Sequence, residues 1–306
     1  EVVAAPQFWT VGQAIDHFRK DAGDLPELFF DIYVVDPSFK PVGAVPVSQL
    51  LRNPRHVALA QIMEPVTEIT VDLDQEEVAY IFDKYHLISA PVIDAAGRLV
   101  GQITVDDIVG VVQEEGEEDI LALAGVSDAG RDAGVMGMVR SRLPWLLVNT
   151  LTAALAASVI GAFEGQIQKL AILAALMPVV ASLGGNAGTQ TLTVAVRALA
   201  SRELSAFNAV RTVMREITVG VAMGVVLALI TGSVLYGMFQ DPRLSIAFGA
   251  ALVINLFMAA LAGALVPLVL ERMGRDPAVS SPVFVTFVTD FTGFFAFLGL
   301  AALILL

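Results

Sequence analysis

The sequence predicts a multi-domain protein: an α/β module built from two repeats, followed by an all-α membrane domain of five helices. Three observations lead to this fold class. Up to Arg140 there are 24 acidic and 9 basic residues, whereas the rest of the chain has 7 acidic and 9 basic ones. A pattern of strands and turns recurs at an offset of 58 residues in the acidic part. Five long apolar segments follow, in a chain that is 56% hydrophobic overall.

Composition excludes several classes of partner and site. A net charge of −15 up to Arg140 repels nucleic acid and attracts multivalent cations. The absence of cysteine excludes disulfides, iron–sulfur clusters and thiolate zinc sites. We therefore expect divalent cations, and no nucleic acid, among the partners. The sequence begins with Glu1 instead of Met, so we also expect a further segment upstream.

The soluble part predicts two similar domains, residues 1–62 and 63–118. Residues 29–51 align with 87–109, so that Val34-Val35-Asp36 matches Val92-Ile93-Asp94. Each copy is typical of an apolar strand, an Asp-containing turn, a second strand and the start of a helix. Because each copy exposes half of a core, the two should pack into one module.

An acidic cluster follows the second copy and begins a predicted connector, residues 119–140. In a helix, Glu115, Glu118 and Asp119 share one face at i, i+3 and i+4 spacing. Packing that face near Asp74, Glu76 and Asp107 would cause strong repulsion unless divalent cations lay between them. Oxygen ligands without cysteine favour Mg2+ or Ca2+. A solvated linker and a regulatory metal site are equally compatible with the cluster.

The membrane domain, residues 141–306, contains five segments long enough to cross a hydrocarbon core of about 30 Å. They are Leu143–Phe163, Leu170–Leu199, Val213–Phe239, Ile246–Leu270 and Pro282–Leu306. Arginines cluster before the first segment, between the second and third, and between the fourth and fifth. The positive-inside rule then places the acidic module in the cytosol and the C-terminus outside. We expect a multi-pass protein of a bacterial plasma membrane, in contact with lipid.

Asp290 is the one charged residue in the last apolar segment. A carboxylate deep in such a helix costs about 2.5–3.5 kcal/mol on insertion scales. No basic residue accompanies Asp290 in this segment, so the expected partner is a cation from outside the protein. Thr286 lies one turn before Asp290 on the same face and offers a hydroxyl, and Gly293, one turn after it, leaves room for the carboxylate at the backbone. Asp276 and Pro277 predict an N-cap and a first helical residue, at the cytosolic mouth.

Other polar residues predict further parts of an ion pathway. The second span should be broken at Met177-Pro178 and again by the glycine-rich stretch 184–191, freeing backbone carbonyls. Asn186 and Gln190 share one helical face there and offer oxygen ligands. Close helix packing through small residues is the alternative for the glycines. Asn255 in the fourth span fits either a pore residue or an interhelical hydrogen bond.

The two repeats resemble a tandem pair of cystathionine-β-synthase (CBS) domains. The second copy carries the pattern Gly101, Thr104 and Asp107, in which the Asp of that family often holds a nucleotide ribose. The first copy has Pro46 and Gln49 at the Thr and Asp positions. The resemblance implies ATP as a candidate ligand at Thr104 and Asp107, while a helix cap formed by Asp107 is the alternative.

From about Phe8 to its C-terminal end, the sequence resembles the MgtE family of Mg2+ channels. Two membrane motifs carry the resemblance: Pro178, Gly185, Asn186, Gly188 and Gln190 in one, and residues 276–293 in the other. It implies a homodimer whose pore is lined by spans two and five, with Asp290 as selectivity ligand. Mg2+ would be both substrate and regulator, and the connector would gate the pore. The regulatory ligands implied by motif position are Asp74, Glu76, Asp107, Glu115, Glu118 and Asp119.

Other functions remain in competition with a Mg2+-gated Mg2+ channel. One is a carrier for Mg2+ or for another divalent ion such as Co2+ or Mn2+. Another is an adenine-nucleotide sensor anchored in the membrane. An enzyme is not expected, because all three histidines lie in the soluble part and Asp290 has no partner for acid–base work in the sequence. The family usually carries a further N-terminal acidic helical domain, which the sequence does not include.

Overall fold

The structure is a computed structural model that describes residues 2–21, 23, 25–26, 28–126, 134–202 and 208–305. The chain divides into two compact units, Glu1–Glu117 and Glu118–Leu306. The elements of the first repeat are β1 (Ala4–Pro6), α1 (Val11–Lys20), β2 (Asp31–Val35), β3 (Pro41–Pro46), α2 (Val47–Arg52) and α3 (Leu59–Ile62). Those of the second are β4 (Ile69–Thr70), α4 (Gln75–Tyr85), β5 (Ser89–Ile93), β6 (Leu99–Thr104) and α5 (Val105–Leu123).

Each repeat forms a three-stranded sheet with the same topology, which confirms the predicted internal repeat. The first strand pairs in parallel with the second, and the second pairs antiparallel with the third. The register shifts at Val34/Val35 and again at Val92/Ile93, 58 residues later. In both turns an aspartate side chain, Asp36 or Asp94, accepts two backbone N–H bonds. The offset of 58 residues between the two copies therefore relates their backbone structures as well as their sequences.

The two repeats share a core, as two half-modules should. Leu99 of the second repeat is buried with Tyr33, Val35 and Ala44 of the first. The Tyr33 hydroxyl and Ser89 Oγ are 2.7 Å apart and join the two copies by a hydrogen bond. Burial of apolar surface between the sheets is the main stabilising term for such a module.

The second unit consists of helices. They are α6 (Val135–Ala162), the short α7 (Glu164–Lys169), α8 (Ile172–Ala200), α9 (Ala209–Phe239), α10 (Pro242–Arg272) and α11 (Pro277–Ile304). In the part of the chain that the structure describes, α6, α8, α9, α10 and α11 are long and apolar enough to cross a membrane. The prediction of five spans is thereby confirmed, and α6 begins eight residues before the predicted Leu143.

Helix α10 forms the centre of this bundle. In the most apolar 18-residue stretch of α10, 50% is buried inside the chain, whereas the share is 11% in the corresponding stretches of α6 and α9. Small residues make this close packing possible: a Cβ added at Gly220 of α9 would lie 2.5 Å from Ala260 Cβ and 2.9 Å from Leu256 O. Small side chains let membrane helices approach closely where burial alone provides no driving force.

One sequence-based expectation about helix continuity was wrong. Helix α8 is not broken at Pro178 or at the glycine-rich stretch, and it runs without interruption from Ile172 to Ala200. Neighbouring helices and local backbone adjustments allow a proline inside a membrane helix. The start of the predicted connector, residues 119–123, is the last part of α5, which runs from Val105 to Leu123. Residues 127–133 of the connector lie outside the described residues.

Candidate functional site

Helix α11 begins as the sequence predicted. Asp276 is its N-cap and accepts a hydrogen bond of 2.7 Å from the backbone N–H of Ala278. Pro277 occupies the first helical position, where its missing N–H costs nothing. The carboxylate of Asp276 therefore has a defined structural role at the start of the helix.

Asp290 lies fourteen residues after Asp276 on α11 and is half-buried. Within the part of the chain that the structure describes, no side chain or backbone group bonds to its carboxylate. One turn earlier, Thr286 Oγ1 donates a hydrogen bond of 2.9 Å to the carbonyl of Pro282. Because the Thr286 proton is engaged with the backbone, its remaining lone pairs are available as acceptors. Among the described residues, as in the sequence of this segment, Asp290 therefore has no cationic partner.

Helix α8 presents an exposed polar face. Five exposed residues that recur at helical spacing carry hydroxyl or amide groups: Ser182, Asn186, Thr189, Gln190 and Thr193. Val179 and Val194 are exposed apolar residues of the same helix. The opposite side of the helix is buried in the bundle, for example at Leu192 and Val196. A polar face of this length is costly against hydrocarbon, which favours contact with water or with other protein.

Helices α8 and α11 are in direct contact at the level of the candidate pathway. A Cβ added at Gly188 would lie 2.7 Å from Val285 Cγ1 and 3.3 Å from Thr289 Cγ2. Asn186 and Gln190 flank Gly188 by two residues, and Asp290 follows Thr289. This contact therefore brings the two amides of α8 and the carboxylate of α11 to the same level of the bundle.

Asn255 is buried inside the bundle and joins α10 to α8. Its Nδ2 donates a hydrogen bond of 2.9 Å to the carbonyl of Val180, and its Oδ1 has no partner among the described residues. Gly184 and Gly293 enclose it: a Cβ at these positions would lie 2.2 and 2.7 Å from Nδ2. This geometry supports the interhelical bond over the pore residue, and Gly293 provides room for Asn255 instead of for Asp290.

The glycines of α8 are the functional residues that sequence reasoning interpreted least well. Gly184 and Gly188 were expected to free backbone carbonyls, but both provide space for neighbouring side chains. Their spacing of four residues is the pattern of small residues that lets two helices approach. That signal was visible in the sequence, although it could not show which helix would come close.

One of the acidic residues of α5, Glu115, lies beside the start of α4. Glu115 accepts a hydrogen bond from Gln75 Nε2 and so lies beside the first turn of α4. Asp74 caps that helix, accepting a bond of 2.9 Å from the N–H of Glu76. Among the described residues, however, no three His, Asp or Glu side chains form a group that could hold a metal ion. The predicted regulatory ligands do not make a complete metal site within this part of one chain.

Asp107 has the capping role that was the alternative to nucleotide binding. Its Oδ2 accepts a bond of 3.0 Å from the N–H of Thr104 and another of 2.9 Å from Thr104 Oγ1. Both predicted nucleotide ligands are thus bonded to each other at the start of α5. This contact fixes the first turn of the helix.

The last turn of α5 packs into the membrane bundle. Ala122 is buried in a cluster with Leu192 and Val196 of α8 and with Ala278 and Val285 of α11. The end of the connector therefore contacts the same two helices that carry Asn186 and Asp290.

Comparison with known proteins agrees with this architecture. Residues 177–300 match the family MgtE, described as "Divalent cation transporter", and residues 59–114 match the CBS domain. The chain is 35% identical over 310 residues to "Magnesium transporter MgtE" of Thermus thermophilus, covering 100% of this chain and 68% of that protein. The chain belongs to the MgtE family.

A second MgtE relative, from Enterococcus faecalis, carries the same name. It is 33% identical over 286 residues, covering 93% of this chain and 63% of that protein. The chain spans about two thirds of the length of these MgtE relatives, 68% and 63%. A solved structure titled "Crystal structure of the cytosolic domain of the Mg2+ channel MgtE in complex with ATP" is 37% identical, with a TM-score of 0.34. That likeness covers 36% of this chain and 44% of that one.

The first unit of this MgtE-family chain contains a cavity of about 400 Å3 between its two repeats. Asp31, Tyr33 and Ser89 line it and form a bonded chain, in which Ser89 Oγ donates to Asp31 Oδ2 at 2.6 Å. Because Ser89 donates its proton to Asp31, the Tyr33 hydroxyl is the donor in its bond to Ser89. Burial raises the pKa of Tyr33 to about 12. Thr104 and Asp107 are not among the residues that line this cavity.

Proposed function

We propose that this chain transports Mg2+ across a membrane along the exposed polar face of α8 and past Asp290 of α11. The observation that carries the proposal is the half-buried carboxylate of Asp290, which has no bonding partner in the described part of the chain. Ionisable residues inside membrane helices are expensive and are retained for function. Membership of a divalent cation transporter family supports a metal ion as its partner.

Ion chemistry favours Mg2+ as the cargo. The polar groups along the proposed path are carboxylate, amide and hydroxyl oxygens, which are the ligands that hard cations prefer. Mg2+ gives up its waters reluctantly and usually keeps several of them. A path with few carboxylates and several neutral oxygens suits an ion that crosses in a partly hydrated form.

We propose that the active form is a homodimer. The face of α8 that carries Asn186 and Gln190 is exposed in the single chain and too polar for lipid. A second copy facing it would enclose a polar path and would bring two Asp290 carboxylates to one ion. Two negative charges hold a divalent ion more strongly than a monovalent one, and the difference grows where the dielectric constant is low.

Regulation by cytosolic Mg2+ is the second part of the proposal. The acidic module carries 24 acidic residues against 9 basic ones up to Arg140, so divalent cations should accumulate around it. Glu115 lies beside the start of α4, and the far end of the same helix contacts α8 and α11. A change in charge at one end of α5 can therefore bias the helices that carry the path. The described residues of one chain form no complete metal site, and we propose that a second chain contributes ligands to a tight one.

Orientation and mechanism class also belong to the proposal. With the arginine-rich connections inside, the acidic module is cytosolic, the C-terminus is outside, and the membrane is a bacterial plasma membrane. We favour a channel over a carrier because the path is built from fixed groups on two helices in contact. Single-channel recording distinguishes the two, since a carrier gives no unitary currents.

ATP is a candidate ligand of the soluble unit, in the cavity between the repeats instead of at Thr104 and Asp107. The volume of about 400 Å3 is within the range of small-molecule sites, and the bonded chain of Asp31, Ser89 and Tyr33 supplies polar groups. Calorimetric titration with ATP, repeated on the Ser89→Ala variant, tests this assignment. Equal affinity in both proteins would remove the cavity as the site.

The Asp290→Asn variant tests the transport proposal directly. Asparagine keeps the shape and loses the charge, so we expect Mg2+ uptake into proteoliposomes to fall by about tenfold or more, as loss of one charged interaction of about 1.5–3 kcal/mol implies. Asp241→Asn is the matched control, because Asp241 caps α10 and asparagine caps equally well. Uptake that is unchanged in Asp290→Asn would contradict the assignment of the path.

A further inference from the structure

A groove of about 280 Å3 lies within the second unit; none of its lining residues belongs to α8, and Thr286 of α11 is at its edge with the candidate path. Its walls are the end of α5, the beginning of α6 and the first turns of α11. Gly125 has a left-handed φ of 69°, which favours glycine where the chain turns after α5. A Cβ there would be in ordinary contact with Trp145 Cβ, at 4.0 Å. The groove therefore lies where three segments of the bundle meet.

Three hydrogen-bond donors of α6 line this groove on one face of the helix. Arg142, Trp145 and Asn149 follow one another at i, i+3 and i+7 spacing and offer guanidinium, indole and amide N–H groups. Among the described residues, none of these three side chains has a hydrogen bond or an ion pair. Leu146 and Val283 supply apolar surface beside them. The groove thus combines unused donors with an apolar wall.

The donors descend from the membrane surface into the apolar layer. The hydrophobic part of α6 starts just after Arg142, which places the guanidinium at the water interface, whichever side of the membrane this is. At 1.5 Å per residue, Asn149 lies about 10 Å deeper along the helix. Trp145, between them, is the residue type that concentrates at the level of lipid headgroups. A polar group without a partner at the depth of Asn149 costs free energy, so it needs an acceptor there.

We propose that this groove binds one anionic phospholipid. The phosphate pairs with Arg142, the ester carbonyls accept from the Trp145 indole and the Asn149 amide, and an acyl chain follows Leu146 and Val283. The positive charge of Arg142 disfavours a metal ion in the groove and favours an anion. Along one face of α6 the surface changes from charged to polar to apolar, as a phospholipid does from headgroup to tail. A small soluble anion would occupy only the charged end and leave most of the groove empty.

Trp145 allows the binding to be measured in place, because the sequence has only one other tryptophan, Trp9. In the full chain carrying Trp9→Phe, Trp145 is the sole indole fluorophore. The protein is reconstituted in phosphatidylcholine vesicles with a small share of nitroxide-labelled lipid, either phosphatidylglycerol or phosphatidylcholine. We expect the labelled phosphatidylglycerol to quench Trp145 with about fivefold higher apparent affinity, the factor for one arginine acting on an anionic lipid.

Arg142→Gln and Arg140→Gln form a matched pair of variants. Both remove one positive charge near the same end of α6, but only Arg142 lines the groove. We expect the preference for phosphatidylglycerol to disappear in Arg142→Gln and to persist in Arg140→Gln. An equal loss in both variants would show a diffuse charge effect and overturn the proposal. Equal quenching by the two labelled lipids in the unsubstituted chain would overturn it as well.

Two further measurements distinguish a bound lipid from a soluble anion and test the deeper half of the groove. Inorganic phosphate, added at rising concentration and constant ionic strength, should leave the quenching by phosphatidylglycerol unchanged; displacement would assign the groove to a soluble anion. Asn149→Leu should weaken quenching by the labelled phosphatidylglycerol while leaving the melting temperature of the protein unchanged, because the Asn149 side chain is exposed and makes no bond in the described chain. Unchanged quenching in Asn149→Leu would remove the deeper half of the proposed site.

Discussion

The side chain of Asn255 donates a hydrogen bond of 2.9 Å to the backbone carbonyl of Val180, 75 residues earlier in the chain. This bond connects the central helix α10 to α8, which carries the polar face of the proposed path. It exists only because Gly184 leaves room for the amide, since a Cβ there would lie 2.2 Å from Asn255 Nδ2. This amide and this glycine are therefore part of the close contact between α8 and α10.

We predict that Gly184→Ala destabilises the protein by about 1–3 kcal/mol, the usual cost of overpacking. Gly185→Ala is the matched control, because a Cβ at Gly185 meets nothing within 4 Å. Adding Asn255→Ala to Gly184→Ala should restore part of the loss, since the clashing side chain is then gone, and such coupling appears as non-additivity. Thermal unfolding is measured for five proteins: the unsubstituted chain, Gly184→Ala, Gly185→Ala, Asn255→Ala and the double variant. Equal melting temperatures for Gly184→Ala and Gly185→Ala would contradict the prediction.

We predict that Asn186→Leu lowers Mg2+ uptake by about fivefold or more without changing the melting temperature, since one hydrogen bond contributes about 1 kcal/mol. The side chain is exposed on α8 and has no packing role inside the single chain. Val194→Leu, also exposed on α8 but apolar, should leave uptake unchanged. Proteoliposome flux is the measurement. If both variants behaved alike, the polar face would not be part of the path.

We predict that replacing Glu115, Glu118 and Asp119 together by Ala leaves Mg2+ uptake high when Mg2+ is present at millimolar concentration on the side of the soluble module. The charge of this segment is what cytosolic Mg2+ would neutralise in the proposed regulation. A control with the same loss of charge replaces Glu68, Asp72 and Asp83, which are exposed elsewhere in the first unit. Normal inhibition by Mg2+ in the first triple variant, or lost inhibition in the control, would count against regulation through α5.

We predict a tyrosine that ionises near pH 12 and a loss of stability above pH 10. Burial is the main cause that raises the pKa of Tyr33 to about 12 from its ordinary 10.0. The folded protein therefore keeps this proton when the unfolded chain loses it, so the contribution is complete below pH 10 and declines as pH rises through about 12. Spectroscopic titration of tyrosine checks the step, which should be missing in Tyr33→Phe. Ionisation of all tyrosines near pH 10 in the folded chain would contradict the prediction.

The sequence determined the features that depend on short-range pattern. The repeat offset of 58 residues reappears in strand register, the two Asp turns and the two sheets. The cap at Asp276 needs only that residue and the few N–H groups that follow it. The five spans follow from length and hydropathy alone, because lipid leaves a spanning chain little choice but a helix.

Only the tertiary structure decided what the polar and small residues of the membrane domain contact. Asn255 and Asn186 are the same residue type in apolar helices, yet one is buried against a glycine and the other is exposed on a polar face. Helix periodicity shows which face of a helix carries a residue, but it does not show which neighbouring helix that face contacts. The glycines of α8 are therefore compatible, in the sequence, with either a broken helix or a tight contact between helices. The neighbour is set by packing between helices distant in the chain. For that reason the unpaired charge of Asp290 could be read from the sequence, whereas the use of Gly184, Gly188 and Gly293 as contact surfaces could not.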